Sequence, residues 1–244
     1  MKISFYNGVS GLIAYQEEMD RVSNNIANSG TVGYKPSRTD FSELLYTRMA
    51  VNSDTEPLTG HGVKAGDSRL QFKQGNLLQT SMPLDYALTG DGFFAVQHAD
   101  GSVEYTRNGA FDISVSGNKG YLVTADGSFV LDSKGKQVVL SRASANDPFD
   151  LTSLADSIGV YTIDNPYGLQ PTGSSCFALT DASGAAQADR NGSKQLIQGS
   201  LEQSAVDLSD EMVSVIQAQR AYQLNAKMVQ TADELEQVIN NLRS

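Results

Sequence analysis

Near the start of the chain, apolar residues recur at Phe5, Val9, Leu12, Tyr15, Met19, Val22 and Ile26, in steps of three and four. Such steps place side chains on one stripe of a helix, with a spacing close to a heptad. Asn28, Ser29 and Gly30 are expected to stop this helix, Asn or Gly taking the left-handed conformation of a C-cap. Lys35 precedes Pro36, which biases it toward extended backbone. The far end repeats the pattern at Leu208, Met212, Val215, Tyr222, Ala226, Val229, Ala232, Leu235, Ile239 and Leu242, with Gln219 the polar interruption. Ser209 is the expected N-cap, accepting from the Met212 amide, and Asp210 and Glu211 suit the positive helix end.

Between these ends the period changes to two and turn residues multiply. Residues 93–97 and 102–106 flank Asp100-Gly101, and residues 121–124 and 128–131 flank Asp126-Gly127, both hairpin signatures. Gly135 then separates a further strand at 137–140. Residues 62–199 read as short antiparallel strands, with loops expected at 51–59 and 141–154. The fold class is therefore α+β. N- and C-terminal helices (1–35 and 205–244) pair as a coiled-coil domain, and a mainly antiparallel β-domain (36–204) is inserted between them. Burying one stripe does not offset the entropy of ordering a whole helix, so the termini are expected to be mobile in the single chain and ordered in an assembly. The alternative is a secreted β-domain binding module whose two terminal stripes only close on each other.

The 244 residues carry 18 Lys and Arg against 28 Asp and Glu, a net charge of −10, with no basic run, which excludes a nucleic-acid partner. No stretch approaches the ~18 consecutive apolar residues of a membrane span. Asn7, Gly8, Ser10 and Gly11 interrupt the start, so a cleavable signal peptide is not expected. Cys176 is the single cysteine, expected as a small buried hydrophobe beside Phe177, and the two histidines, His61 and His98, leave little for a metal site. Neither histidine has a nucleophile or metal partner at motif spacing. Gly90-Asp91-Gly92 lacks the third glycine and the following helix of a dinucleotide fingerprint. Asn191-Gly192-Ser193 has only the form of a glycosylation acceptor, and Asp233-Glu234 read as solvated. No catalytic residue, cofactor, metal or small-molecule substrate is expected.

Several polar and aromatic positions fit an assembly role instead. Asn24 and Asn28 lie four apart on one helix face and could fix register, with Gln219 as partner. Gly33 is expected to supply a turn that a Cβ would forbid. Arg107, beside Asn108-Gly109, reads as a solvated surface arginine, or as one paired with a neighbouring subunit's acids. Phe93 and Phe94 point to opposite faces of a strand, one into the core and the other to an interface or a second buried face.

The segment from Asn24-Asn25-Ile26-Ala27-Asn28 through Thr31 to Gly33-Tyr34-Lys35 resembles the N-terminal signature of bacterial flagellar rod and hook proteins. Glu211-Met212 through Gln219-Arg220-Ala221-Tyr222 to Gln230-Thr231-Ala232-Asp233-Glu234 is similar to the C-terminal signature. Pro83-Leu84-Asp85-Tyr86-Ala87-Leu88, Gly90-Asp91-Gly92-Phe93-Phe94, Tyr105-Thr106-Arg107-Asn108-Gly109, Asn165-Pro166, Gly168-Leu169 and Gly199-Ser200-Leu201-Glu202 follow in the family's order. The length points to rod members rather than the longer hook members, and the middle motifs stand nearest the distal rod branch, then the proximal one. Ser204-Ala205 and Ser29-Gly30 depart from the distal pattern.

The resemblance implies a structural subunit exported uncleaved by the flagellar type III apparatus and polymerised helically into the drive shaft, outside the cytoplasmic membrane. Its partners would be copies of itself and neighbouring rod and hook proteins. The assembly interface would comprise Phe5, Val9, Leu12, Tyr15, Met19, Val22, Asn24, Asn25, Ile26 and Asn28 from the first helix. From the last helix it would take Leu208, Met212, Val215, Gln219, Tyr222, Ala226, Val229, Leu235, Ile239 and Leu242.

Overall fold

A computed structural model describes residues 2–48, 58–117, 119–141, 149, 151, 154–189 and 196–243. The sequon at Asn191 and most of the expected loops at 51–59 and 141–154 lie outside the described residues. Helix α1 spans Lys2–Ala27, a single turn α2 spans Leu154–Ser157, and α3 spans Leu208–Arg243. Contacts divide the chain into two compact units: Met1–Ala27 with Ser37–Leu70 and Asp207–Ser244, and Asn28–Pro36 with Gln71–Val206. The boundaries drawn from sequence at 35/36 and 204/205 followed element type, and the contacts follow packing.

Both helix ends use devices other than those expected. After Ala27 the Thr31 amide donates to the Asn28 carbonyl at 3.1 Å, and the Thr31 hydroxyl donates to the Asn28 side-chain oxygen at 3.2 Å. None of Asn28, Ser29 and Gly30 is left-handed; that conformation falls to Gly33, at φ +68°. The cap of α3 is Asp207, not Ser209: its carboxylate accepts from the amides of Ser209 at 2.9 Å and Asp210 at 3.4 Å. Ser209 already lies inside the first turn, where its own amide needs an acceptor.

In the first unit, β1 (Ser37–Glu43) pairs with β4 (Val63–Leu70) and β2 (Tyr46–Arg48) with β3 (Leu58–Gly60), forming an antiparallel ribbon. Strands therefore begin at Ser37, ahead of the span that alternation marks, and Thr59 stands in β3 rather than a loop. Of β1 and β4 only Thr39 and Leu70 are buried, so no inward alternation exists for a pattern to detect. Polar groups of α1 hold the ribbon instead: Asn7 donates to the Gly60 carbonyl at 3.1 Å, and Ser10 Oγ accepts from the Val63 amide at 3.3 Å. At the other end Asn25 donates to the Ser37 carbonyl at 2.9 Å and accepts from the Ser37 amide at 3.1 Å.

The second unit holds β5 (Leu77–Gln79), β6 (Tyr86–Leu88), β7 (Phe93–Gln97), β8 (Val103–Thr106), β9 (Phe111–Ser116), β10 (Lys119–Thr124) and β11 (Phe129–Val130). They are followed by β12 (Val139–Ser141), β13 (Val160–Ile163), β14 (Gln170–Gly173), β15 (Cys176–Ala178), β16 (Ala186–Ala188), β17 (Leu196–Gln198) and β18 (Ser200–Glu202). Strands β7 to β16 form one 10-stranded sheet, while β17 pairs with β6 and β18 with β5. The two expected hairpins are present, β7–β8 turning through Gly101 at φ +88° and β10–β11 through Gly127 at φ +81°. Tyr86, Phe94, Leu122, Val130, Leu154 and Ile158 head the core, each 0% exposed, and Cys176 packs into the same cluster. Burial pushes the Cys176 thiol up to about 11, as a small hydrophobe requires. Among the described residues no helix is long and apolar enough to cross a membrane.

Candidate assembly interface

Helices α1 and α3 run antiparallel, with Gly8 opposite Val229, Gly11 opposite Asn225, and Asn25 bonded to Glu211. The seam is built from small side chains. A Cβ on Gly8 would stand 2.7 Å from Val229 Cγ2, and one on Gly11 2.7 Å from Asn225 Oδ1. Ala14, Ala218 and Ala232 are buried along the same seam. Its polar end is closed by Asn25, which is buried and donates to Glu211 Oε1 at 3.0 Å.

Within the single chain the two stripes named from sequence are covered only in part. Of the α1 stripe only Val22 is buried; Val9, Leu12, Tyr15, Met19 and Ile26 are half-buried on the flank of the seam, and Phe5 is exposed. On α3, Val215, Tyr222, Ala226 and Val229 are half-buried, while Leu208, Met212, Leu235, Ile239 and Leu242 are exposed. In the single chain Asn24 and Gln219 are exposed, and Asn28 belongs to the turn after the helix, in the other unit. Asn25 takes the interior position, facing Glu211. A second apolar stripe on α3 escaped the sequence reading. Val213, Ile216, Leu224, Met228 and Val238 are all at least half exposed.

Burial raises the Glu211 carboxyl above its ordinary value of 4.5; the Asn25 hydrogen bond opposes this, and the charges of Glu18 and Asp210 add to it. The packed form thus binds the proton more tightly than the separated helices do. The stabilisation is complete below the ordinary carboxyl pKa and is lost as pH rises through the raised value. Amide exchange of α1, corrected for intrinsic rates, is expected to be slower in mild acid than at neutral pH. Glu211→Gln should flatten that dependence.

In the second unit, three of the motifs converge on one buried charge cluster. Lys35 Nζ lies 2.6 Å from Glu202 Oε1, with side chains 1% and 0% exposed. Arg107 Nη1 donates to Glu202 Oε2 at 3.4 Å, and the guanidinium lies 5.2 Å from the centroid of the Phe93 ring. Arg107 is thus buried within its own chain and neither solvated nor left for a neighbouring subunit. Burial lowers the pKa of both cations, and the Glu202 carboxylate opposes that shift in each. Gly33 makes the approach possible: a Cβ there would meet the Arg107 carbonyl carbon and the Asn108 nitrogen at 2.7 Å.

A further arrangement was invisible in sequence spacing. Ser128 Oγ lies 2.7 Å from His98 Nδ1, and His98 Nε2 lies 2.9 Å from Glu104 Oε2. Hydroxyl, imidazole and carboxylate stand in line, but Ser128 is buried, and the set ties the β7–β8 turn to the β10–β11 turn. His61 is bonded to Thr47 Oγ1 at 2.7 Å. Among the described residues no group of three or more metal-ligating side chains converges.

Profiles of known families match along the chain. Residues 5–35 match "Flagella basal body rod protein", 87–160 match "Flagellar hook protein FlgE/F/G D1 domain", and 197–242 match "Flagellar basal body rod FlgEFG protein C-terminal". The flagellar basal-body rod protein FlgG of Borreliella burgdorferi is 33% identical over 267 residues, covering 100% of this chain and 99% of that one. The FlgG protein of Bacillus subtilis is 33% identical over 98% of both chains. The flagellar hook-basal body complex protein FlhP of Bacillus subtilis is 32% identical over 93% of this chain and 94% of its own. Matches of this extent identify an axial, structural class of protein. The chain belongs to the flagellar basal-body rod protein family.

Proposed function

We propose that the chain is a structural subunit of the bacterial flagellar basal-body rod, of the distal branch, polymerising helically into the shaft that carries torque toward the hook. The observation that carries this reading is the bare apolar face of α3. Leu224 and Met228 are 67% and 57% exposed, and neighbouring large apolar residues continue the face along the helix. Isolated exposed apolar residues are ordinary, whereas five along one helix face, interrupted by Gln217, Arg220 and Thr231, fit a surface that another chain covers. The occupants are α1 and α3 helices of further copies, joined in a coiled coil that no single chain completes.

On this reading the helix unit, 1–27 with 37–70 and 207–244, acts as the assembly domain, and the sheet unit, 28–36 with 71–206, as the outer body. Adjacent rod and hook proteins cap the polymer, and the type III apparatus delivers the chain across the cytoplasmic membrane to the periplasm or cell wall. A role in load-bearing contacts requires no catalysis and no cofactor. The distal assignment is supported by relatives named FlgG at 33% identity over nearly the full chain. Basal bodies from a strain lacking the chain, viewed by electron microscopy, are expected to end as shortened rods without hooks. Complete rods and hooks would refute the assignment.

A further inference from the structure

Outside the helices, the most tightly organised polar feature is the cluster around Glu202. Its carboxylate is fully buried and shared: Oε1 accepts from Lys35 Nζ and from the Gly75 amide at 2.8 Å, and Oε2 accepts from Arg107. Two buried cations thus lean on one carboxylate. Arg107 Nε, also buried, has no hydrogen-bond partner among the described residues. The backbone repeats the connection. Gly33 donates its amide to the Glu202 carbonyl at 2.8 Å, and Ala205 donates to the Tyr34 carbonyl at 3.1 Å. The segment that follows α1 is therefore anchored on the segment that precedes α3, and the two lie 167 residues apart in sequence at the Lys35–Glu202 pair.

A buried ammonium without its carboxylate is strongly unfavourable. We propose that Glu202 is the keystone of a latch: segment 31–36 docks on the sheet unit only after β18 has brought this carboxylate into place. Until β18 is in place, the stem of α1 has only the bonds of Val32 to Ser175, of Lys35 to the Lys73 carbonyl and of Pro36 to Gln71, and the Lys35 ammonium lacks a carboxylate. The stems of the two terminal helices then become fixed together in one step, which only a complete chain can take. An incomplete chain would present its first helix unanchored and would be excluded from assembly.

The members of the cluster are not equivalent, and that makes the latch testable on the full-length single chain by site-resolved amide exchange. Removing Glu202 leaves the Lys35 ammonium with only the Lys73 carbonyl and Arg107 with only the charge of Asp91, whereas removing Lys35 leaves a balanced Arg107–Glu202 pair. Glu202→Gln is expected to speed exchange across 31–36 by on the order of 100-fold or more. Exchange in β7 and β8 should stay slow. Lys35→Met, which keeps Glu202 paired, is expected to loosen 31–36 while β18 remains protected. It supplies the answer even if Glu202→Gln fails to fold. Acceleration of β7 and β8 by the same factor as 31–36 would reduce the cluster to general stability and overturn the latch. So would unchanged exchange at 31–36 in Lys35→Met. The measurement needs no polymer, so its failure would leave the rod assignment standing, and failure of the rod assignment would not touch it.

Discussion

Phe94→Ala is expected to unfold the sheet unit, or to bring it to the edge of unfolding, while Phe93→Leu leaves it folded. Phe94 is 0% exposed, and its ring meets that of Phe111 edge-on at 5.1 Å in the middle of the core cluster. Truncating a buried phenylalanine costs about 3–5 kcal/mol, from lost transfer energy plus the cavity left behind. Set against a typical total of ~5–15 kcal/mol, that is a large share. Phe93 lies on the opposite face of β7, against Phe72 at 5.5 Å and Phe177 at 6.2 Å, where leucine can keep much of the contact. Thermal unfolding followed by near-UV circular dichroism distinguishes the two. Equal shifts in the two variants would contradict the assignment of Phe94 to the core centre.

The strand carrying both phenylalanines shows what a sequence can state. Its apolar run Phe93-Phe94-Ala95-Val96, with Asp100-Gly101 beyond it, announced the hairpin, and the second hairpin followed from Asp126-Gly127 by the same chemistry. These signals are local: a turn pair sets the register of its own two strands. Both terminal helices were legible for a similar reason, since apolar residues at steps of three and four have no other regular use. Which face each helix turns inward was not legible. Periodicity weighs large side chains, but α1 and α3 approach through Gly8, Gly11, Ala14, Ala218 and Ala232, which carry little apolar weight. The close approach excludes bulk from the seam, and the large residues are left on the flanks.

The charge cluster was hidden by distance along the chain. Arg107 and Glu202 are 95 residues apart, beyond any helical or strand spacing, and Arg107 on its own reads as a surface residue. A usable clue lay in the motifs. Gly33-Tyr34-Lys35, Tyr105-Thr106-Arg107 and Gly199-Ser200-Leu201-Glu202 each hold a charge or a glycine that no helix or hairpin needs. Residues without a local use are candidates for a shared distant one. The β1–β4 ribbon had no such clue, because side-chain bonds from Asn7, Ser10 and Asn25 hold it rather than buried apolar area.

The bare face of α3 carries the second large effect. Leu224→Gln with Met228→Gln is expected to abolish rod assembly and motility and to leave the single chain almost unchanged. Both side chains are exposed in the single chain, so their loss there falls within about ±0.5 kcal/mol. Glutamine is also as good a helix former as the residues it replaces. In the polymer each residue would be covered by a neighbour, worth about 1.5–3 kcal/mol per side chain. Losing two such contacts in every subunit weakens each addition step by a factor of roughly a hundred or more, enough to stop a polymer that grows by repeated addition. Far-UV circular dichroism of the purified variant should match the parent, while basal bodies should stop short of the hook. Complete hooks in the variant strain would show that this face stays open in the rod, and the covering helices would then have to be sought on the flank formed by Leu12, Tyr15 and Met19.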